Sequence, residues 1–136
     1  MTGEVASAPR RIRRVVAALL LVATIAAGLL VHGLLPDTSA TDIVGDALYA
    51  VAAYLAVVLI APRLPPLAAG AIAAAWCVGV ELFQLTGLPL LWGAQFSPVM
   101  LLLGTVFDPR DLLVYVAAIA LATAVDALLR TASRPR

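Results

Sequence analysis

The sequence predicts an all-α integral membrane protein: a four-helix bundle with cytoplasmic N- and C-termini and an interfacial or re-entrant hairpin between helices 3 and 4. Three observations predict it. The 136 residues are 63% hydrophobic and 12% charged, about half the charge of an ordinary soluble domain. Four apolar stretches each approach the roughly 20 residues that cross a bilayer as a helix. The arginines, which are the only basic residues apart from one histidine, collect on one side of the resulting topology.

Residues 1–14 form a basic cytoplasmic N-terminus ending in Arg10, Arg11, Arg13 and Arg14. The first span, 15–35, carries no charge and is interrupted only by Thr24, Gly28, His32 and Gly33. A signal peptide has a shorter apolar core, about 7–15 residues, followed by a small-residue cleavage site. This run is longer and ends Val31-His32-Gly33-Leu34-Leu35-Pro36, so it reads as an uncleaved helix. A polar turn leads to the second span, 43–61, with Asp46, Tyr49 and Tyr54. Pro62-Arg63-Leu64-Pro65-Pro66 stops it, because proline cannot continue a helix interior.

The third span, 67–85, repeats small residues at Gly70/Ala74 and Ala75/Gly79, a spacing that lets membrane helices approach closely. It also holds Glu81 and Gln84. Its Cys77 excludes an internal disulfide and a cysteine-only metal cage, and reads as a small packed hydrophobe. Residues 86–110 are apolar but broken by Gly87, Pro89, Gly93, Pro98 and Gly104. The fourth span, 111–129, completes a single membrane domain over 15–130, and 131–136 is a basic cytoplasmic tail. With this count the inside holds Arg10, Arg11, Arg13, Arg14, Arg63, Arg130, Arg134 and Arg136, and the outside only Arg110. Arginine-rich short loops stay cytoplasmic. A fifth span at 86–110 would put the arginine-rich tail outside. That segment therefore reads as a hairpin over the outer end, with Trp92 and Phe96 near the headgroups.

On this topology Asp46, Glu81, Gln84 and Asp111 come to similar depth beneath the outer surface. Residues 81 and 84 share one helix face, as do 108, 111 and 115, and 42, 46 and 49, which puts Tyr49 and Tyr115 beside the acids. Each has a plainer reading. Asp108-Pro109-Arg110-Asp111 looks like a helix start, with Asp108 as N-cap and Asp111 in a first turn that the helix dipole favours for acids. For Asp111 both readings stand. Asp42 reads as a first-turn or cap residue after Thr41, and Asp126 as an interfacial residue paired with Arg130. His32 reads as interfacial, with the acids within its reach. Glu81 resists: it sits near a helix C-terminus, where the dipole disfavours an anion. An ionisable residue at membrane depth costs roughly 2.5–3.5 kcal/mol and by default marks function. Its structural alternative is a hydrogen bond to Gln84 or a tyrosine that locks helices together.

Gly45-Asp46-Ala47-Leu48-Tyr49, then Glu81-Leu82-Phe83-Gln84, then Leu103-Gly104-Thr105-Val106-Phe107-Asp108 with Asp111-Leu112-Leu113-Val114-Tyr115 carry a resemblance. In order and spacing they resemble the small bacterial membrane proteins of domain-of-unknown-function family 2809. More distantly the chain is similar to VanZ-like proteins, which share an acid on an early span, an E-x-x-Q on the next and an Asp opening the last. The resemblance covers about residues 15–130 and departs where Val116-Ala117-Ala118 stand in place of an expected glycine. It implies a four-helix bundle in the bacterial cytoplasmic membrane, with Asp46, Glu81, Gln84 and Asp111 as family-type polar positions. Through the VanZ-like proteins it implies a link to the cell envelope.

The expected activity is binding without catalysis. A lipid or cell-envelope precursor would be held in an outward-facing acidic and amide pocket lined by Asp46, Glu81, Gln84, Asp111, Tyr49 and Tyr115. No cofactor or resident metal is expected. Membrane lipids, a lipid-linked envelope precursor or a membrane protein are the expected partners, and nucleic acid is not. Two alternatives stand beside it. One is a structural or accessory subunit whose partner packs on the small residues of span three. The other is an acid/base or cation-dependent enzyme using Asp46, Glu81 and Asp111, although a serine–histidine pair, HExxH and GxSxG are all lacking. Four spans without an internal repeat argue against a transporter.

Overall fold

The computed structural model describes residues 8–132, and among them every regular element is a helix. In chain order these are α1 (Ala8–Leu34), α2 (Ser39–Ile60), α3 (Pro66–Gln84), α4 (Leu88–Gln95), α5 (Pro98–Leu103) and α6 (Pro109–Ala132). Helices α1, α2, α3 and α6 are each long and apolar enough to cross a bilayer, which makes this a multi-pass membrane protein. Arg134 and Arg136, expected in the cytoplasmic tail, lie outside the described residues, as do residues 1–7 of the basic N-terminus.

Local chemistry sets the helix ends. Thr38 caps α2: its hydroxyl accepts from Thr41 N–H, while its own N–H donates to Thr41 Oγ1. This is a reciprocal capping box with threonine in place of the usual Glu or Gln. The helix therefore starts at Ser39, ahead of the expected 43, and Asp42 falls in its first turn as anticipated. Pro66 and Pro109 open α3 and α6, where a missing N–H costs nothing.

Helix α2 is the hub. It packs against α1, α3 and α6; α3 and α6 also pack on each other, and the α1 backbone runs close to α2. The core is built from small and aromatic side chains: Ala50, Tyr54 and Val58 of α2, Ala69, Ala73 and Cys77 of α3, Tyr115 and Ile119 of α6. Large aliphatics point the other way, with Leu19, Val22, Leu113, Leu121 and Leu128 each more than half exposed. That is the pattern of a lipid-facing surface, where small interfacial residues and polar contacts rather than hydrophobic burial bring helices together. Gly70 shows how close the approach is, since a Cβ there would stand 2.3 Å from Thr123 Oγ1 of α6. The other repeated glycine behaves differently: nothing lies within 4 Å of a Cβ built on Gly79.

At the arginine end, Arg13 holds three elements together. Its Nη1 donates to the Pro62 and Leu64 carbonyls, at 2.6 and 2.9 Å, in the α2–α3 turn. Its Nη2 pairs with Asp126 Oδ2 of α6, which also accepts from the Tyr54 hydroxyl. The expected Asp126–Arg130 pair does not form; Arg130 instead donates to the Leu64 carbonyl at 3.2 Å. The reason is burial. Asp126 turns inward to a place where Arg13 and Tyr54 satisfy it together, while its helical neighbour Arg130 reaches the Leu64 carbonyl of the proline-rich turn, which it shares with Arg13.

Residues 86–110, expected as an interfacial or re-entrant hairpin, contain two short helices, Leu88–Gln95 and Pro98–Leu103. Helices α4 and α5 pack on each other and on α3. A Cβ on Gly93 would stand 2.4 Å from Met100 Cγ, so glycine is what lets the two short helices touch. Trp92 packs on Phe83 of α3, ring centroids 5.6 Å apart.

Replacing Asp126 with Ala strands the Arg13 guanidinium and the Tyr54 hydroxyl, and is expected to destabilise the fold by about 2–4 kcal/mol. Unfolding in mixed micelles measures it. A double-mutant cycle should show strong coupling of Asp126 with Arg13 and near-additivity with Arg130; the reverse would refute the assignment.

Candidate functional site

The opposite end gathers acids from three helices. Glu81, in the last turn of α3, is completely buried. Its Oε1 accepts from the Asp108 backbone N–H at 2.7 Å, and Asp108 itself caps α6 by accepting from Arg110 N–H at 2.9 Å. This resolves the difficulty Glu81 posed in sequence. It lies near the C-terminus of its own helix, but also at the N-terminus of α6, where the positive end of the dipole favours an anion. Asp111 stands in the first turn of the same helix, and Asp46 of α2 approaches it carboxyl to carboxyl. Tyr115, one turn further into α6, sets its hydroxyl beside Glu81 and its ring 5.9 Å from that of Tyr49.

Asp46, Glu81, Asp111 and Tyr115 therefore form one cluster. Gln84 and Tyr49 adjoin it but serve its roof. The Gln84 amide donates from Nε2 to the Leu103 carbonyl at 2.9 Å, and the Tyr49 hydroxyl donates to the Leu102 carbonyl at 2.6 Å. Tyr49 in turn accepts from Trp76 Nε1 at 3.0 Å. Leu102 and Leu103 end α5, where carbonyls lose their helical partners; Tyr49 and Gln84 supply new ones and tie the hairpin to α2 and α3. Gly104 follows with φ +63° and ψ −158°, a conformation essentially confined to glycine. A Cβ there would stand 2.3 Å from Gln84 Nε2.

His32 is exposed at the end of α1 and takes no part in this cluster. Arg110 is the cation of this end among the described residues. It forms three long ion pairs, with Asp108 at 3.6 Å, Asp42 at 3.8 Å and Asp111 at 4.0 Å. Trp76, Arg110, Gly104 and the Asp108 amide were not foreseen. Only Gly104, closing the run Leu101–Leu103, carried a sequence signal, that of a helix stop.

Chemically the cluster is rich in acceptors. Glu81 Oε2, Gln84 Oε1 and Asp111 Oδ1 are buried oxygens without a hydrogen-bond donor, and Arg110 Nε is a buried donor without an acceptor. Among the described residues, no three His, Cys, Asp or Glu side chains are grouped to hold a metal ion. Two apolar grooves lie elsewhere and neither is lined by a carboxylate. One of about 390 Å³ runs between α3 and α6 past Gly70, Ala74 and Thr123, and one of about 260 Å³ lies between α3 and α5 beside Gly79 and Leu103.

The model of the family described as Protein of unknown function (DUF2809) matches residues 35–119. The match takes in every member of the acidic cluster and its roof, and leaves out α1 and Asp126. No curated protein and no solved structure matches the chain.

Gly104→Ala forces both a disfavoured backbone and a clash with Gln84, and is expected to cost about 1–3 kcal/mol. Thermal unfolding of the purified variant checks it. A loss below about 0.5 kcal/mol, the usual range for a neutral surface change, would show that the roof is not held as described.

Proposed function

This chain belongs to the family described as Protein of unknown function (DUF2809), and on that premise we propose that it is a binding protein which holds a polar, donor-bearing group of a membrane lipid or lipid-linked envelope precursor at its acidic end. One observation carries the reading. Two buried oxygens, Glu81 Oε2 and Gln84 Oε1, have no hydrogen bond, and the neighbouring Asp111 Oδ1 has only Arg110 Nε, 4.0 Å away. A buried polar atom left unpaired costs about 1–3 kcal/mol, a cost that a ligand with N–H or O–H groups removes. Asp46 and Asp111 retain part of their exposure, so the cluster is reachable from outside the protein.

The arginines orient the proposal. Placed on the cytoplasmic side, Arg10, Arg11, Arg14 and Arg63 send the acidic end outward across a bacterial cytoplasmic membrane. The α4–α5 hairpin then roofs the site on the envelope side. A second reading, an accessory subunit, draws on Gly79: its exposed, open face on α3 suits a partner helix.

Glu81→Gln keeps an acceptor for the Asp108 N–H while removing the charge. Lipid retained by the purified protein, read by native mass spectrometry, is expected to fall several-fold. Unchanged retention would overturn the binding reading, and a stoichiometric protein crosslinked at Gly79→Cys would favour the subunit instead.

A further inference from the structure

We infer that the recognised group is a primary ammonium next to a phosphodiester on a lipid headgroup, an inference that rests on the binding reading above. Glu81 is fully buried and Gln84 is 7% exposed, and each presents an oxygen without a donor. The Gln84 amide nitrogen is already committed to the Leu103 carbonyl, so it cannot turn to offer a donor. Arg110 is one cation against several carboxylates, so what the site lacks is matching positive charge and N–H groups for these two oxygens. A primary ammonium brings both: one charge, three donors and no acceptor. A hydroxyl brings a single donor and no charge. A quaternary ammonium brings charge without a donor.

Arg110 supplies the other half of the match. Its ion pairs are long, 3.6–4.0 Å, and its buried Nε faces Asp111 Oδ1 at 4.0 Å without a hydrogen bond between them. A phosphodiester joined to the ammonium would meet that guanidinium, which pairs well with phosphate oxygens. Depth argues for a lipid over a soluble amine. Asp46 lies seven residues beyond the start of α2 at Ser39, about 10 Å along the axis, which with Ser39 at the outer surface puts it near the boundary between headgroups and hydrocarbon.

The test is native mass spectrometry of the full chain in nanodiscs of phosphatidylethanolamine, its N-methyl and N,N-dimethyl forms, phosphatidylcholine and phosphatidylglycerol. Phosphatidylethanolamine should be retained about tenfold over phosphatidylcholine, with retention falling at each methylation. Glu81→Gln and Asp111→Asn should each abolish that preference while circular dichroism stays helical. Equal retention of the ethanolamine and choline lipids overturns the inference. If Glu81→Gln then still lowers both, binding stands without ammonium selectivity; if it changes neither, the binding reading falls as well. Displacement by millimolar soluble glycerophosphoethanolamine would assign the ammonium to a soluble source and overturn the lipid assignment.

Discussion

Hydrocarbon offers no hydrogen bonds, so a polar side chain carried into the membrane must find its partner within the protein. Much of the architecture follows from that constraint. Apolar burial does little to join helices whose surroundings are as oily as their interfaces. Small residues on α3 let the helices approach, and polar brackets at the two ends lock them. At one end Arg13 and Tyr54 meet on Asp126, tying α1, α2 and α6 together. At the other, Glu81 takes the Asp108 N–H and ties α3 to the start of α6. The hub position of α2 suits this arrangement, because it contributes Tyr54 to one bracket and Asp46 and Tyr49 to the other end.

The two brackets differ in balance. Around Asp126 the carboxylate meets a guanidinium and a hydroxyl at short range, with only Arg13 Nε left without a partner, which is the behaviour of a structural clamp. Around Glu81 the carboxylates outnumber the one arginine, and several buried atoms keep no partner. The helix dipole of α6 makes an anion there tolerable, yet it does not supply donors to the remaining oxygens. Structure alone would be served by fewer acids. That surplus is the physical reason to look for a ligand at this end.

The roof shows how a short helix is positioned with little apolar burial. Helix α5 has six residues and no buried side chain, so its own packing cannot hold it. Its last carbonyls are anchored by Tyr49 and Gln84, and the chain then turns through Gly104 to bring the Asp108 amide onto Glu81. Two of the residues expected to line a pocket thus build the cover, Tyr49 through its hydroxyl and Gln84 through its amide nitrogen, which leaves the Gln84 oxygen without a partner.

The sequence by itself determined what depends on short stretches of chain: four spans from length and hydropathy, their proline boundaries, the Asp108 cap, and the convergence of Asp46, Glu81 and Asp111 from helix order and depth. These are local quantities, readable because 20 apolar residues behave alike wherever they sit. Tertiary structure decided the pairings. Asp126 chose Arg13, 113 positions away, over Arg130 in the next turn, because inward rotation of α6 offered it a guanidinium and a hydroxyl together. Glu81 acquired its stabilisation from the end of another helix, which no pattern within α3 could show. Helical spacing said which residues share a face; only packing said which face each helix turned inward.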